Sequence, residues 1–530
     1  MVSRFVRKVR TASGAVAVQV VTRRGRQVEQ VEQVGSAHSD AALALLLTAA
    51  RERLSPGQDV LDLGDLPVVP ARMGDVADWT AGPPAGPRVA QTGGRPPVLA
   101  GGGRVVATPA VLLWDVLTSA YAHLGFDGLN DEAFRAMVLA RIVEPTSKAE
   151  VVRVLDEIGA PCPSLRTLFR SLARAQTEDY RDTIAKACLA HSARTTGKAA
   201  LVLYDVTTLH FENDDEDDLR RVGLSKEHRV DPQVQVGLLV DPGGFPLEVH
   251  LFEGNKAETT TLIPVLTAFQ ERHGVTDMVV VADAGMLSAG NLNALEDAGF
   301  SFIVGSRLAK APYDLAEHFK RKGNYFTDGQ ILESARVMGT GKDARSRRIV
   351  YQWSFKRNKR DDRTINLMIA KAEKIATGQT PLKKARFLKV TGATKELDQA
   401  TIERARQLAG LKGYVTNLPA ETMTGQGVIS AYHDLWQVEA SFRMTKSDLR
   451  ARPVFHHQRE AIEAHLSVVF AALAIGRHLQ DVTGISVKKI VQTLRAARSA
   501  TIEINGQRLT LDPDLTDTTR NILSQLKTVH

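Results

Sequence analysis

The sequence contains little cysteine, no long apolar run and few aromatic residues. Only Cys162 and Cys188 occur in 530 residues, which excludes a disulfide scaffold and multi-cysteine zinc sites and indicates a reducing compartment. The most apolar runs, Ala42–Ala50 and Leu466–Ile475, are too short to span a bilayer, and no secretory signal pattern follows the basic N-terminus. Aromatic residues make up 5% of the chain, which fits a carbohydrate-cleaving site poorly. We therefore expect a soluble intracellular protein with no membrane partner.

The positive charge is modest in total but concentrated in two stretches. The chain has 68 Lys and Arg against 60 Asp and Glu, a formal charge of +8. Residues 1–27 carry seven basic side chains and no acid, and residues 342–363 carry nine basic side chains and three acids. This distribution is compatible with a polyanionic partner.

Changes in periodicity divide the chain into several parts, and a chain of this length accommodates two to four domains. We predict a basic β-meander at 4–34 that is followed by a helix at 40–54, and a linker where Gly and Pro dominate. A purely helical pattern comes next, and then alternating strands and helices. The predicted parts are 1–79 (meander plus helix), 80–106 (linker), 107–195 (helical DNA-binding domain), 199–308 with 419–480 (α/β catalytic core), 309–418 (β-rich insertion) and 481–530 (C-terminal region).

Two helices of the helical part match the helix-turn-helix pattern. A helix near 147–158 meets a Gly- and Pro-containing turn, and Ser164 is placed to cap the next helix. That second helix is predicted to turn Leu165, Leu168, Phe169 and Leu172 inward and Arg166, Arg170 and Arg174 outward. The alternative is an ordinary helical hairpin with solvated arginines.

The α/β part has the element order of an RNase H-like mixed sheet. Three strands (199–205, 233–240, 247–252), a helix (259–273), a strand (278–282), a helix (291–298) and a strand (300–305) follow one another. Two of these strands end in acids, Asp205 and Asp283. The insertion at 309–418 then precedes the last helices of this predicted core.

The stretch 432–446 contains no helix breaker and is predicted to form one helix. At 100° per residue, Tyr432, Glu439, Arg443 and Lys446 fall within roughly 60° of one another around its axis. One carboxylate flanked by two cations and a phenol suits a metal ion beside a phosphate. A solvated helix face with spaced ion pairs is the alternative.

Together Asp205, Asp283 and Glu439 match the needs of a two-metal phosphoryl-transfer site. Two divalent ions about 3.5–4 Å apart require hard oxygen ligands, and carboxylates suit Mg²⁺ or Mn²⁺ better than imidazole or thiolate does. We predict that Asp205 bridges both ions while Asp283 and Glu439 each complete one side. Taken singly, each Asp is also compatible with a strand-end cap.

The sequence resembles the DDE transposases of bacterial insertion sequences, in the branch with a Tyr-(x2)-Arg-(x3)-Glu-(x6)-Lys signature. Tyr432, Glu439 and Lys446 stand at those spacings, whereas Leu435 occupies the arginine position, and Arg443 lies on the same stripe. The resemblance extends to the segments 203–208, 254–258 and 282–286 around the two aspartates. It covers about 199–475, and the basic meander with Gly35-Ser36-Ala37-His38 is similar to one subgroup.

The resemblance implies a metal-dependent recombinase that cleaves DNA at the ends of its own element and joins the freed 3′-hydroxyl to target DNA. It implies two Mg²⁺ or Mn²⁺ ions, double-stranded DNA (terminal inverted repeats and target) as partner, a homodimer in the synapse, and a cytoplasmic, nucleoid-associated bacterial location. Tyr432 and Lys446 would contact backbone phosphates. Trp353 would stack on a flipped base, or else pack inside its strand. The rival functions are a nuclease of the same fold that does not join, and a domesticated non-catalytic DNA-binding protein.

Overall fold

The computed structural model describes a small sheet near the N-terminus and most of the chain after residue 103. It describes residues 2–10, 16–24, 27–37, 104–196, 201–212, 215–223, 231–257, 260–275, 278–284, 288–306, 315–323, 325–381, 385–391, 394–504 and 507–527. Two compact units emerge, residues 1–97 and residues 98–530. The predicted helix at 40–54 and nearly all of the predicted linker at 80–106 lie outside the described residues.

The first unit contains a three-stranded antiparallel sheet. Its strands are β1 (Val2–Arg10), β2 (Val16–Arg24) and β3 (Gln27–Ala37), paired in the order β1-β2-β3. Val18, Val20 and Val21 of the central strand are buried. These are the strands that the alternation at 4–34 predicts.

The second unit begins with a short strand and a group of helices. These elements are β4 (Arg104–Ala107), α1 (Val111–His123), a 3₁₀ turn (Phe126–Leu129), α2 (Glu132–Val143), α3 (Lys148–Glu157), α4 (Leu165–Thr177) and α5 (Tyr180–Thr196). The hydroxyls of Ser147 and Ser164 accept from the backbone N–H groups of Glu150 and Thr167 and so cap α3 and α4. The predicted pair of helices joined by a short turn is therefore present.

An eight-stranded mixed sheet forms the centre of this unit. Its strand order is β10-β11-β14-β9-β8-β5-β6-β7. β8 pairs in parallel with β5 and β9, and all other neighbours pair antiparallel. The strands are β5 (Leu201–His210), β6 (Gln233–Val240), β7 (Pro246–Glu253), β8 (Val279–Ala282), β9 (Ser301–Ser306), β10 (Ile331–Met338), β11 (Arg345–Trp353) and β14 (Leu411–Thr416).

Helices cover both faces of the sheet, so the strands alternate between two hydrophobic cores. Val202, Tyr204 and Val206 of β5 pack on the face shared with α6 (Leu262–His273) and α7 (Ala289–Asp297). Leu203 and Leu209 pack on the opposite face, with helices that follow residue 424. Both predicted helices and four of the five predicted strands lie close to the predicted bounds, whereas β5 continues to His210, beyond the predicted end at residue 205.

The segment between β9 and residue 418 differs from the predicted β-rich insertion. It contains α8 (Ala316–Lys322), β10, β11, α9 (Phe355–Ala376), a small hairpin of β12 (Leu388–Thr391) and β13 (Thr394–Leu397), α10 (Gln399–Gln407) and β14. Three of its strands extend the central sheet. The predicted strand pattern missed α9, whose buried residues Ile365, Ala372 and Ile375 pack on α10 and the loop residue Phe387.

The predicted single helix at 432–446 is wrong, because the chain bends after His433. α11 (Gly425–His433) and α12 (Trp436–Ser447) are separate helices. Between them the N–H groups of Leu435 and Gln437 donate to carbonyls three residues back. Such 3₁₀ bonding advances about 120° per residue rather than 100°, so Tyr432 does not share a straight stripe with Glu439, Arg443 and Lys446.

A long buried helix and a C-terminal group complete the second unit. These elements are α13 (Arg459–Thr483), α14 (Val487–Ala496), β15 (Ala500–Ile504), β16 (Gln507–Leu511) and α15 (Asp517–Lys527). β15 pairs with β16 and with β4. Among the described helices α13 alone is long and apolar enough to cross a membrane, and 94% of its apolar window is buried in the protein, as in a core helix.

Candidate active site

Asp205 and Asp283 follow paired positions on two neighbouring parallel strands. Leu203 of β5 pairs with Val281 of β8, so two residues further along each chain the register brings Asp205 beside Asp283. Asp283 comes directly after the end of β8, as predicted. Asp205 lies inside β5 rather than at its end, since β5 continues beside β6 to His210.

Both aspartates belong to one face of the sheet. Alternate residues of a strand share a face, and the residues two positions before them, Leu203 and Val281, both pack in the core shared with α11, α12 and α13. Asp205 is half-buried and Asp283 is exposed. The two carboxylates therefore lie at the rim of this face, where solvent and a large ligand reach them.

Tyr432 of α11 binds directly to one of these carboxylates. Its hydroxyl donates a hydrogen bond to Asp283 Oδ1 at 2.9 Å. Its ring packs 4.9 Å from that of Tyr414, and any side chain at Gly305 would collide with its hydroxyl. Burial, and then the negative charge of Asp283, raise the pKa of Tyr432. The phenol therefore stays protonated and holds the Asp283 side chain in place.

Glu439 lies on the helix that crosses the Asp205 face. It is exposed in the first turn of α12, where the positive end of the helix dipole favours a carboxylate. One turn further on, buried Phe442 borders an apolar cleft together with Thr207 and Leu209 of β5. Ser441 anchors the same helix by donating to the Gly244 carbonyl at 2.9 Å. The helix of Glu439 is thus packed over the strand of Asp205.

A group of cations beside Asp283 was missed by sequence reasoning. The Lys412 ammonium of β14 lies 5.0 Å from the centre of the Tyr432 ring. Burial and the nearby charges of Arg357 and Arg360 lower the pKa of Lys412, and the charge of Asp283 opposes this shift. The basic run at 356–363 was visible in the sequence, but nothing local indicated that the first turns of α9 lie beside Asp283.

Two of these cations, Arg357 and Lys412, border a cavity next to Ala284, the residue after Asp283. It has a volume of about 360 Å³, and Ala284, Ser306, Arg357, Arg386 and Lys412 are among its lining residues. The three cationic side chains, with Asp361 among them, form a mainly positive region that adjoins the residue after Asp283. A phosphodiester together with metal ions is complementary to that arrangement.

The other predicted DNA-contacting residues have different surroundings. Arg443 is exposed and Lys446 is half-buried on α12. On α4, Arg166 and Arg170 are exposed, while the Arg174 guanidinium forms an ion pair with Asp131 at 2.5 Å. Arg174 is therefore committed to a contact within the helical region.

Apolar residues of α4 and β11 also depart from expectation. Leu168 and Leu172 are buried as predicted, but Leu165 and Phe169 are exposed, Phe169 by 53%. Trp353 is 8% exposed, donates through its indole N–H to the Ala409 carbonyl at 3.1 Å and stacks on Phe326. The structure favours the packing alternative for Trp353.

The carboxylates of Asp205, Asp283 and Glu439 do not form a group whose oxygens all lie within 4.8 Å of one another, but their chemistry fits hard divalent cations. Asp205, Asp283 and Glu439 offer carboxylate oxygens, the ligands that Mg²⁺ and Mn²⁺ prefer. Asp283 and Glu439 are open to solvent. An acidic site on adjoining strands, bordered by cations, is typical of enzymes that act on nucleic acids.

Family comparison identifies the class more closely. Residues 197–475, more than half of the chain, match the family described as Transposase DDE domain, and the chain belongs to this family. It is therefore a transposase, a DNA-cleaving and DNA-transferring enzyme.

Other comparisons add little to this assignment. The chain is similar to the cryo-EM structure of a piggyBac transposase synaptic complex with hairpin DNA, at 10% identity, with 72% of this chain and 76% of that chain covered and a TM-score of 0.35. At these values the likeness carries no argument of its own. No protein with a curated description matches the sequence.

Proposed function

We propose that this chain is the transposase of a bacterial insertion sequence, which cleaves DNA at the ends of its element and joins them to target DNA. The spacing of Tyr432, Glu439 and Lys446 supports the branch with the Tyr-Arg-Glu-Lys signature. Tyr432 lies on α11 and the other two residues lie on α12, and the Tyr432 hydroxyl donates a hydrogen bond to Asp283.

The topology supports an RNase H-like catalytic core. In the order β7-β6-β5-β8-β9 the first three strands of the core form an antiparallel meander, and β8 and β9 continue in parallel beside β5. We propose that residues 307–418 interrupt this core between β9 and α11. Unlike the separate insertion expected from sequence, this segment adds three strands to the same sheet.

Asp205, Asp283 and Glu439 are the residues that would hold the proposed pair of Mg²⁺ or Mn²⁺ ions. Such ions generate a nucleophilic oxygen and neutralise the leaving oxygen in phosphoryl transfer. Tyr432 holds the Asp283 side chain through a hydrogen bond. The Tyr432 hydroxyl can turn to a phosphate oxygen once the Asp283 carboxylate binds another partner. Lys412, Arg443 and Lys446 supply the positive charge that DNA backbone phosphates require.

Additional DNA contacts are proposed for the exposed residues of α4. Arg166, Arg170 and the exposed ring of Phe169 form a basic surface with one apolar side chain, which suits the DNA of terminal inverted repeats. Joining two ends requires two active sites, so we propose a homodimeric synapse. A cytoplasmic, nucleoid-associated location follows from the substrate.

The observation that carries this proposal is the register of β5 and β8, which pairs Leu203 with Val281 and so supports neighbouring positions for Asp205 and Asp283. We would measure Mg²⁺- or Mn²⁺-dependent nicking of duplexes that carry the DNA flanking the gene. Asp205→Asn and Glu439→Gln should each reduce nicking more than about 100-fold, since even outer-shell partners of a metal cost roughly 10–100-fold. Binding in a gel-shift assay should persist.

Glu460→Gln, a change of an exposed glutamate in the first turn of α13, is the matched control and should keep wild-type nicking. Full activity of either active-site variant would overturn the assignment of the carboxylates. Strand-transfer products distinguish the transposase from a nuclease that cuts without joining. Their absence alongside robust nicking would favour the nuclease.

A further inference from the structure

Three histidines from distant parts of the sequence meet inside the second unit. His123 is the last residue of α1, His191 lies in α5 and His478 lies in α13. One ring nitrogen from each lies within 4.8 Å of the others. Among the described residues this is the only cluster of three or more such ligands found at that spacing.

The rings contact one another closely. His123 and His478 stack with centroids 4.7 Å apart, and His191 lies nearly perpendicular to both, at 5.6 Å and 5.2 Å. A tetrahedral zinc with bonds of about 2.0–2.1 Å needs nitrogens roughly 3.3 Å apart. The nitrogens are therefore close enough to converge if one of the stacked imidazoles turns about its Cβ–Cγ bond.

The site is buried but not satisfied internally. His191 is 5% exposed, and its Nδ1 has no hydrogen-bond partner among the described residues. Buried polar nitrogens of this kind are normally paired.

Carboxylates adjoin the histidines. A cavity of about 360 Å³ is bordered by the three imidazoles together with Asp241 and Asp481. Asp241 accepts from the Ser192 hydroxyl at 2.7 Å and from the Phe245 N–H at 2.9 Å, so it is already held by two donors. Asp481, one turn after His478, borders the same cavity and lies 3.7 Å from the Arg477 guanidinium. A water molecule or the Asp481 carboxylate would supply the fourth ligand.

We propose that His123, His191 and His478 form a structural zinc site that is separate from the catalytic carboxylates. Imidazole nitrogens suit Zn²⁺, whereas the carboxylates of the catalytic face suit Mg²⁺ or Mn²⁺. The ion would tie α1 and α5, which precede the sheet, to the core helix α13. This proposal does not depend on the proposed catalytic mechanism.

The site also lies behind the helix that carries Glu439. Arg477, next to His478, donates to the Gly243 carbonyl at 2.5 Å and to Gln437 Oε1 of α12 at 3.2 Å. Ordering α13 would therefore support the position of α12, and metal loading would act on the active site through packing contacts.

The test uses the full chain purified without a histidine tag and stripped of metal by a chelator. Co²⁺ is titrated as a spectroscopic probe and then displaced by Zn²⁺. We expect one equivalent with the visible absorption of a four-coordinate site, and a rise in melting temperature of at least about 3 °C at saturating Zn²⁺. Elemental analysis of the protein before stripping reports the metal that it acquires in the cell.

Three variants locate the bound ion. His123→Gln and His191→Gln should weaken Co²⁺ binding at least tenfold and abolish the Zn²⁺-dependent rise in melting temperature. His318→Gln removes a histidine of α8, outside the cluster, whose Nε2 lies 3.0 Å from the Tyr325 carbonyl, and should bind as the wild type does. Far-UV circular dichroism checks that each variant is folded.

X-ray absorption on the wild-type Zn²⁺ complex keeps the test decisive if a variant fails to fold. Scattering from three imidazoles and one oxygen supports the site. Each of four results would overturn the zinc proposal. These are stoichiometric binding that the histidine variants leave unchanged, an adventitious ion only, a coordination shell without imidazole, and no binding at micromolar Co²⁺.

Discussion

Two aspartates in the second unit have opposite surroundings. Asp131, at the start of α2, is 7% exposed and accepts from the Ser171 and Tyr180 hydroxyls at 2.9 and 3.0 Å and from Arg174. The N–H groups of Ala133 and Phe134 also donate to it. This carboxylate joins α2, α4 and α5 and has little capacity for another partner.

Asp283 is exposed directly after β8 and accepts a hydrogen bond from the Tyr432 hydroxyl. The charge of Asp283 acts on nearby Lys412, which Arg357 and Arg360 also influence. The comparison teaches that a carboxylate saturated by donors serves the fold, whereas an exposed one that accepts from a neutral hydroxyl at an open rim is available for a ligand. Changing each to asparagine should therefore have opposite consequences.

The largest expected effect is the loss of catalysis in Asp283→Asn. We expect nicking to fall more than about 100-fold, because an amide is a poor ligand for a divalent cation compared with a carboxylate. The free energy of unfolding should change by no more than about 0.5 kcal/mol, as for most surface substitutions. Parallel nicking and urea-denaturation measurements check both parts, and a strongly destabilised variant would contradict the comparison.

Asp131→Asn should show the reverse pattern. The amide keeps the shape and can still cap α2, but it leaves the Arg174 charge unpaired, and we expect a loss of about 2–3 kcal/mol in the free energy of unfolding. Nicking by the folded fraction should stay within about threefold of the wild type. Normal stability of this variant would show that the buried contacts of Asp131 are dispensable.

Acidification should remove the difference between the wild type and Asp131→Asn. Burial raises the pKa of Asp131, but the Phe134 N–H, Arg174, Ser171 and Tyr180 together lower it further, so its folded-state pKa lies below 3.8. A carboxylate with a lowered folded-state pKa stabilises the fold fully above its unfolded pKa, and this contribution is lost as the pH falls through the folded value. Denaturation curves at descending pH should converge below pH 3.8, and a constant gap would contradict this assignment.

Tyr432→Phe should have the smallest effect. It removes the hydrogen bond to Asp283 but keeps the ring beside Tyr414 and Gly305. We expect nicking to fall about three- to tenfold, equivalent to about 1 kcal/mol. Tyr414→Phe is the matched control, since the Tyr414 hydroxyl lies 3.3 Å from His433 Nε2. An equal loss in both variants would mean that the contact with Asp283 is not the cause.

Periodicity along the chain predicted the strands of the core well and the segment after them poorly. β5 to β9 are short, apolar and separated by clear turns, so each is recognisable from its own residues. In α9, by contrast, the polar and basic residues at 356–363 conceal a helix of 22 residues. The apolar residues of α9 are recognisable as a buried face only in the folded structure, where α10 and Phe387 pack against them.

The active-site helix shows the same limit at closer range. Every residue of 432–446 is compatible with a helix, and Asp434 and Leu435 keep right-handed helical angles. The bend comes from a local change to 3₁₀ hydrogen bonding. Tyr432 packs against Tyr414 and Gly305 on one side of this interruption, and α12 packs on β5 on the other. No local residue preference specifies the change in hydrogen bonding between the two helices.

The sequence by itself determined the short core strands, the position of Asp283 directly after β8, and the fact that Asp205 lies on a strand and Glu439 on a helix, because those features depend on residues within a few positions of one another. Only the tertiary structure decided that Tyr432 bonds to Asp283, that Lys412 lies beside it, and that His123, His191 and His478 meet. Such contacts join residues more than a hundred positions apart or depend on how separate helices pack. A contact between residues so far apart produces no periodic pattern in a single sequence from which it could be predicted.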